Sequence, residues 1–347
     1  MEDNLSTAEP GSQRDCANCG QPAMEGDHRT SLCSDCREQF TRLNIPVWIR
    51  LFAGGIAVLV LFSLFTLPRS ISLGVHLEKA KKAEREKKFF TAEKELSKVL
   101  EKVPGNVEAN GYMLMATFYN QDYEGFNKQV KSMQHMVIED KQLSDELDEL
   151  MGKALHYVSN DSFEVFTSAF PPREIPDTAW DRYLRHQPED VFAMTGYASL
   201  LFDRKEYPRC DSLLQKVLQV DNEYFPALML EASTKREEGD PGAALVFNDR
   251  IMKINRESVY GISSKARTLL RLKKDGEALD IVSKGYELND KNLYLLSTLA
   301  LAYHFSGRTA ERDAMLKKAW PMARDASDSV TVQYAVDVIN KKEKFRD

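Results

Sequence analysis

The sequence has no glycine-rich loop of the kind that cradles phosphates, no H-E-x-x-H pair and no G-x-S-x-G turn. The usual motif-borne routes to nucleotide, metallohydrolase and acyl-transfer chemistry are therefore not written in it. Six histidines are scattered at His28, His76, His135, His156, His186 and His304. The carboxylates between Asp145 and Glu149 are spaced as a solvated helix face, and nothing sets a nucleophile beside a base. The expectation is a protein that is not an enzyme. Excess basic charge is also missing. A net charge of −6 and a pI near 5.7 give no overall attraction for nucleic acid. Cysteine is scarce, with five in 347 residues, four of them between Cys16 and Cys36 and one alone at Cys210. That distribution excludes a disulfide framework spread over a secreted fold.

What is present is periodic. Segments starting at Val191, Phe225, Val259 and Leu293 are 34 residues apart. Their eighth positions are Ala198, Ala232, Ala266 and Ala300, and their twentieth are Cys210, Ala244, Ala278 and Arg312. Small residues at two fixed points let the two helices of a hairpin approach closely, so the period reads as stacked helix–turn–helix repeats. Cys210 occupies one of the small-residue positions and is expected to be a buried, inert thiol.

These residues resemble the tetratricopeptide repeat (TPR). Phe89, Tyr123 and Tyr207 fill that family's aromatic site, and Pro104 and Pro188 its closing-turn site. The likeness covers Val191–Pro321 and extends to Gly74–Gln134. It implies a right-handed superhelix whose first helices line a concave groove through positions 2, 5, 9 and 12. Those positions hold Phe192, Thr195, Ser199 and Phe202, then Pro226, Met229, Ser233 and Arg236. Next come Tyr260, Ser263, Arg267 and Leu270, then Tyr294, Ser297, Leu301 and His304. Of these, Phe192, Phe202, Met229, Arg236, Tyr260, Arg267, Tyr294 and His304 are the expected partner-binding residues, in a groove suited to a protein or peptide. The Lys and Asn pattern with which some family members grip a carboxylate is absent, and that function is not carried over.

Cys16-Ala-Asn-Cys19 and Cys33-Ser-Asp-Cys36 are two C-x2-C pairs thirteen residues apart. Four thiolates close the tetrahedral shell of Zn²⁺, so Cys16, Cys19, Cys33 and Cys36 are the expected ligands of a structural zinc ion. Such a small module would draw most of its folding energy from the metal. Met1–Arg50 holds five Arg, no Lys and eight acids, a sum of −3, so nucleic acid is not an expected partner.

Leu51–Leu67 is a run of seventeen residues without a charge. With the shoulder Ile45–Arg50 it is long enough for one transmembrane helix, with Trp48 at headgroup level. The lysine and arginine count (Arg37, Arg42 and Arg50 before; seven after) would put the repeats inside the cell. The thiolates argue for a reducing compartment around the zinc module. The expected orientation has the zinc module in the cytosol and the repeats outside, as in a single-pass protein of a bacterial inner membrane.

The expected organisation is thus mainly α. A disordered tail (1–14) precedes a zinc-ribbon-like module (15–40) and a transmembrane helix (45–68). TPR-like repeats (74–140), an irregular helical insert (141–188), four further repeats (189–321) and a capping helix (322–347) follow. The expected function is a membrane-anchored scaffold that binds a protein or peptide. The alternative is a self-associating, homo-oligomeric component of a membrane or envelope complex.

Overall fold

The computed structural model describes residues 15–22, 31–41, 45–171 and 174–346, without the side chains of 64–70, 326 and 327. The expected tail at 1–14 and the loop carrying His28 lie outside the described residues. Among those described there are seventeen α-helices and two short 3-10 turns, and the only strand-like pairing is an isolated bridge between Asp15 and Pro22. The chain divides into two compact units, Met1–Ser70 and Ile71–Asp347.

The first unit holds α1 (Ser34–Thr41) and the beginning of α2 (Val47–Arg85). The expected single-pass span at 45–68 is corrected here. Among the described residues no helix is long and apolar enough to cross a membrane. The uncharged run Leu51–Leu67 starts directly after Arg50 and covers seventeen residues, roughly 25 Å of helix against the ~30 Å hydrocarbon core. The inner-membrane localisation and the two-sided orientation fall with it. The apolar side chains of this stretch are exposed, Leu51 at 72% and Trp48 at 68%.

The second unit is a TPR-like solenoid of helical hairpins. Its helices are the end of α2, then α3 (Phe89–Lys102), α4 (Val107–Tyr119), α5 (Tyr123–Met133) and α6 (Lys141–Ala154). Next come α7 (Asp161–Ser168), α8 (Asp177–His186), α9 (Val191–Asp203), α10 (Tyr207–Val220), α11 (Phe225–Glu237) and α12 (Pro241–Ile254). The last are α13 (Val259–Arg271), α14 (Asp275–Leu288), α15 (Leu293–Phe305), α16 (Thr309–Ala319) and α17 (Ala326–Ile339). Three of the four regular first helices start on side-chain caps, and α11, which follows Tyr224, does not. Asp190, Ser258 and Asn292 accept from the backbone N–H three residues on, which satisfies a donor the helix itself leaves open.

Each hairpin closes through a residue at positive φ. These are Lys87 and Gln121, then Lys205, Gly239, Lys273, Gly307 and Lys341, with φ between 57° and 87°. Within each set they are 34 residues apart. The following N–H reaches back five residues: Glu206 to Leu201, Asp240 to Lys235, Lys274 to Leu269 and Arg308 to Tyr303, each at 2.9 Å. This six-to-one bond satisfies an end-of-helix carbonyl. Ala198, Ala232, Ala266 and Ala300 are all at 0% exposure, as are Cys210, Ala244 and Ala278. Burial pushes the Cys210 thiol up to about 11. At Gly285 an added Cβ would meet Ile262 Cγ2 and Leu295 Cδ2 at 2.8 Å, so α14 lies against α13 and α15 with no room to spare.

One arrangement lies beyond the repeat pattern. The first hairpins return onto the loop between α12 and α13. Arg256 N–H donates to Lys87 O at 2.8 Å, and Glu257 accepts from the Thr91 backbone N–H and hydroxyl, both at 2.7 Å. Fully buried Asn255 donates from Nδ2 to Tyr119 O and Asn120 Oδ1, both at 3.0 Å. These contacts bridge 135 to 169 positions of sequence. They are made possible by α6–α8, which break the 34-residue beat.

A side chain at positive φ costs roughly 1–2 kcal/mol that glycine avoids, partly offset by glycine's freedom in the unfolded chain. Lys273 is exposed, so Lys273→Gly should raise stability by about 0.5–1 kcal/mol. No atom lies within 4 Å of a Cβ placed on Gly239, so Gly239→Ala should lower it by about 1 kcal/mol through the backbone alone. Urea midpoints at constant m check both, and opposite signs in the two variants are required.

Candidate functional site

The four cysteines of the first unit come together. Their Sγ atoms all lie within 4.8 Å of one another, with Cys19 and Cys33 at 3.6 Å. A ZnS4 tetrahedron with ~2.3 Å bonds has S–S edges of about 3.8 Å, so the donor set fits such an ion with little adjustment. Gly20, at φ +69°, gives the first knuckle its turn, and its N–H donates to Cys16 O at 2.9 Å. The second knuckle opens α1, where Cys36 N–H points at Cys33 Sγ at 3.4 Å. No pair is disulfide-bonded. Backbone N–H groups, that of Cys33 foremost, hold the Cys16 thiol down to about 6. At Cys19 the Gln21 N–H pulls the same way, but the side chains of Cys36, Cys33 and Cys16 outweigh it and push the thiol up to about 12. Crowded sulfurs cannot all ionise without a cation among them.

In the second unit, the residues expected to line a groove divide into two groups. Phe192, Phe202, Met229, Tyr260, Tyr294 and His304 are partly exposed. Arg236 and Arg267 are not: they are 7% and 8% exposed, and Ser263, Ser297, Leu270 and Leu301 beside them are fully buried. The cause is a cover that the repeat pattern does not contain. Tyr334 of α17 lies over Arg267, with its ring 5.3 Å from the guanidinium, and Tyr294 lies 4.2 Å away. The Arg267 guanidinium donates to Thr298 Oγ1 and Ser297 Oγ, both at 2.9 Å. Arg236 donates to Ser264 Oγ and Ser233 Oγ at 2.9 and 2.8 Å. Burial pulls the Arg236 guanidinium down from its ordinary range. Hydroxyls, rather than carboxylates, take these donors.

The open part of the row carries two adjoining pockets. One, of about 340 Å³, is lined by Phe192, Thr195, Ser199, Pro226, Tyr224, Tyr157 and Tyr123. The other, of about 730 Å³, is lined on one side by Met229, Tyr260 and Tyr294 and on the other by Asp328 and Thr331 of α17. Pro226 and Met229 stand one turn apart on α11, so the pockets share a wall. Ring contacts run within each: Tyr123 to Tyr157 at 5.9 Å and Tyr157 to Tyr224 at 4.7 Å in the first, and Tyr260 to Tyr294 at 6.2 Å in the second. Burial pushes the Tyr123 hydroxyl up to about 12.

Sequence reasoning missed Tyr157 and Tyr224 and took Tyr123 only as the aromatic-site residue of its hairpin. They reach the pocket because the first hairpins curl back. The available signal was the density of aromatics just after the beat is lost, at Tyr157, Phe163, Phe166 and Phe170.

No family model matches the chain, and no curated protein matches it. Solved structures do overlap it in part. A thermophilic TPR protein of Thermus thermophilus is 19% identical, over 46% of this chain and 88% of its own, with a TM-score of 0.39. A tetratricopeptide repeat protein of Parabacteroides merdae is 14% identical, over 78% and 91%, with a TM-score of 0.40. YrrB, a TPR protein with an unusual peptide-binding site, is 11% identical, over 69% and 97%, with a TM-score of 0.34. At such scores the hairpin geometry of this chain, and not the overlap, carries its description as a TPR-like repeat protein.

The division of the row into open and covered halves is directly measurable. With each cysteine introduced singly, Ser199→Cys should take up one extra maleimide per chain within minutes. Leu301→Cys should stay protected until the chain is unfolded, as read by intact mass. Equal labelling of the two would contradict the cover over the second half.

Proposed function

We propose that this chain is a non-catalytic scaffold that binds an extended peptide segment of a protein partner along the open row from Phe192 to Tyr294. The observation that carries this reading is the pair of adjoining pockets. Aromatic rings and hydroxyls line the first, and Tyr260, Tyr294 and Met229 line the second, whose walls also carry Lys291, Arg324 and Asp328. Tyrosine and phenylalanine offer large contact area at small entropic cost, and such residues dominate interface energetics. Phe192 and Met229 take apolar side chains of the segment in this reading. The Ser199 hydroxyl meets its backbone, while the buried Arg236 and Arg267 stiffen the floor rather than touch the partner. Phe202 and His304 lie at the far ends of their helices and border the row.

In the first unit, Cys16, Cys19, Cys33 and Cys36 hold a structural zinc ion in this proposal. The metal closes the two knuckles on each other and offers no open position for substrate. Its role is to fold a module too small to hold together by apolar burial.

Selection of a random peptide library on the purified chain tests the groove. Enriched peptides should share apolar anchors and should lose at least tenfold in affinity on Tyr260→Ala and on Phe192→Ala. Substitution of Val246, exposed on α12, should leave them unaffected. Failure to enrich any such peptide, together with self-association that buries Tyr260, would favour the assembly reading instead.

Metal analysis tests the cysteines. The chain should carry about one zinc per molecule, lost in Cys19→Ser and Cys33→Ser and retained in Cys210→Ser. Zinc retained in all three would remove the assignment.

A further inference from the structure

Past Lys341 the chain leaves the repeat. The turn is the same as in the other hairpins, with Lys341 at φ 58° and Lys342 N–H on Asp337 O at 2.8 Å. A second helix does not follow. Position 20 of this hairpin is Arg346, an arginine as at Arg312 in the hairpin before it, and Lys341–Lys344 are all exposed. Phe345, by contrast, is 4% exposed. Its ring stacks on Phe305 of α15 at 5.3 Å, and the Arg271 guanidinium of α13 sits 4.7 Å over its face. Arg346 forms a fork with Asp275, at 2.5 and 2.9 Å, and donates to the Leu270 carbonyl at 2.7 Å. Its guanidinium lies 4.0 Å from the Phe305 ring.

Two consecutive side chains thus seat the end of the segment, one aromatic in an aromatic–cation slot and one arginine on a carboxylate and a helix-end carbonyl. This is the contact chemistry of a bound peptide: a bidentate, directional ion pair beside a desolvated ring. The segment comes from a charged, exposed tether only a few residues long, and it reaches back over α15 to α13. A short flexible tether gives an effective concentration in the mM range, so even a weak two-residue contact keeps its site filled.

We propose that Lys342–Arg346 is a tethered internal ligand, seated in a docking site formed by Leu270, Arg271, Asp275 and Phe305, and that this site takes an extended partner segment presenting an aromatic residue followed by arginine. The inference rests on reading the array as a peptide-binding surface, and it names a second, chemically distinct subsite there. Displacement of the tail by a partner segment frees the site at the covered end of the row, while the aromatic pockets at the open end remain accessible throughout.

The probe is a fluorescent peptide with the sequence of residues 340–346, Asn-Lys-Lys-Glu-Lys-Phe-Arg, added to the full chain and followed by anisotropy. In Phe345→Ala/Arg346→Ala the internal ligand is disabled and the receptor side is intact. That variant should bind the peptide at least tenfold more tightly than the unmodified chain, and adding Asp275→Asn should abolish the gain. Arg346→Gln alone keeps the Phe345 packing and should show a smaller gain, which preserves the test if the double variant folds poorly. The proposal is overturned if the folded variants show no saturable binding, or bind no better than the unmodified chain. It is also overturned if the unmodified chain forms a Phe345-dependent dimer while the variants ignore the peptide, because the site then belongs to a second copy. Peptides selected on Tyr260 and Phe192 report on the aromatic row independently. Their continued binding would separate failure of the tail site from failure of the groove.

Discussion

Every regular feature of the second unit depends on one backbone event, the left-handed residue that closes each hairpin. At Lys205, Gly239, Lys273 and Gly307 the chain reverses within three residues and spends its next N–H on a carbonyl five residues back. That bond caps the first helix and aims the second along it. Once the two axes are held this close, small residues suit positions 8 and 20, and the alanines and Cys210 found there are wholly buried, with Arg312 the exception at position 20 of the fourth hairpin. The period of 34 is the result: a fixed first helix, a fixed turn and a fixed second helix. Five of the seven turn residues are not glycine, so hydrogen bonding and packing outweigh a conformational cost of roughly 1–2 kcal/mol at each of them.

The same locality explains what could be read before the structure. A hairpin's turn, caps and small positions are set by residues within about 34 positions of one another, and each has a residue-type signature. The closure of the first hairpins onto Asn255–Glu257 has none. Its bonds run largely between backbone groups and common side chains, Arg256 N–H to Lys87 O and Asn255 to Tyr119 O, across well over a hundred positions. A pattern with no preferred residue type leaves nothing to count. Tyr157 and Tyr224 were hidden for that reason, since they line the groove only after the array bends. The four sulfurs lie at the opposite extreme. Two C-x2-C knuckles make one cluster almost regardless of surroundings, so their convergence was legible from spacing alone.

Arg236 and Arg267 show where positional reasoning stops. Their helical phase assigned them to the groove, but both are buried. Over Arg267 lies Tyr334 of α17, a helix that follows the turn geometry of the repeat without its residue pattern. The apolar stretch before the array failed in another way. Uncharged residues can be counted in sequence, but a span needs continuous apolar length, and Leu51–Leu67, bounded by Arg50, gives roughly 25 Å against the ~30 Å hydrocarbon core.

A buried guanidinium normally finds a carboxylate, because the desolvation it suffers is otherwise uncompensated. Here Ser233, Ser264, Ser297 and Thr298 supply neutral oxygens, and Tyr294 and Tyr334 supply ring faces. Hydroxyls turn to suit the donor, and serine and threonine are small enough not to force the helices apart. This arrangement buries two positive groups among neutral oxygens, while Lys291, Arg324 and Asp328 stand on the walls of the second pocket. In the proposed reading, a peptide along the open pockets would meet aromatic walls at contact distance and charges of both signs at the edge of the second pocket. At the other end Asp275, at the start of α14, takes Arg346. Both zones draw on α13 and α15, through Tyr260 and Tyr294 in one and Leu270, Arg271 and Phe305 in the other, so in that reading a segment bridging them would carry its basic residue toward the α13–α14 turn.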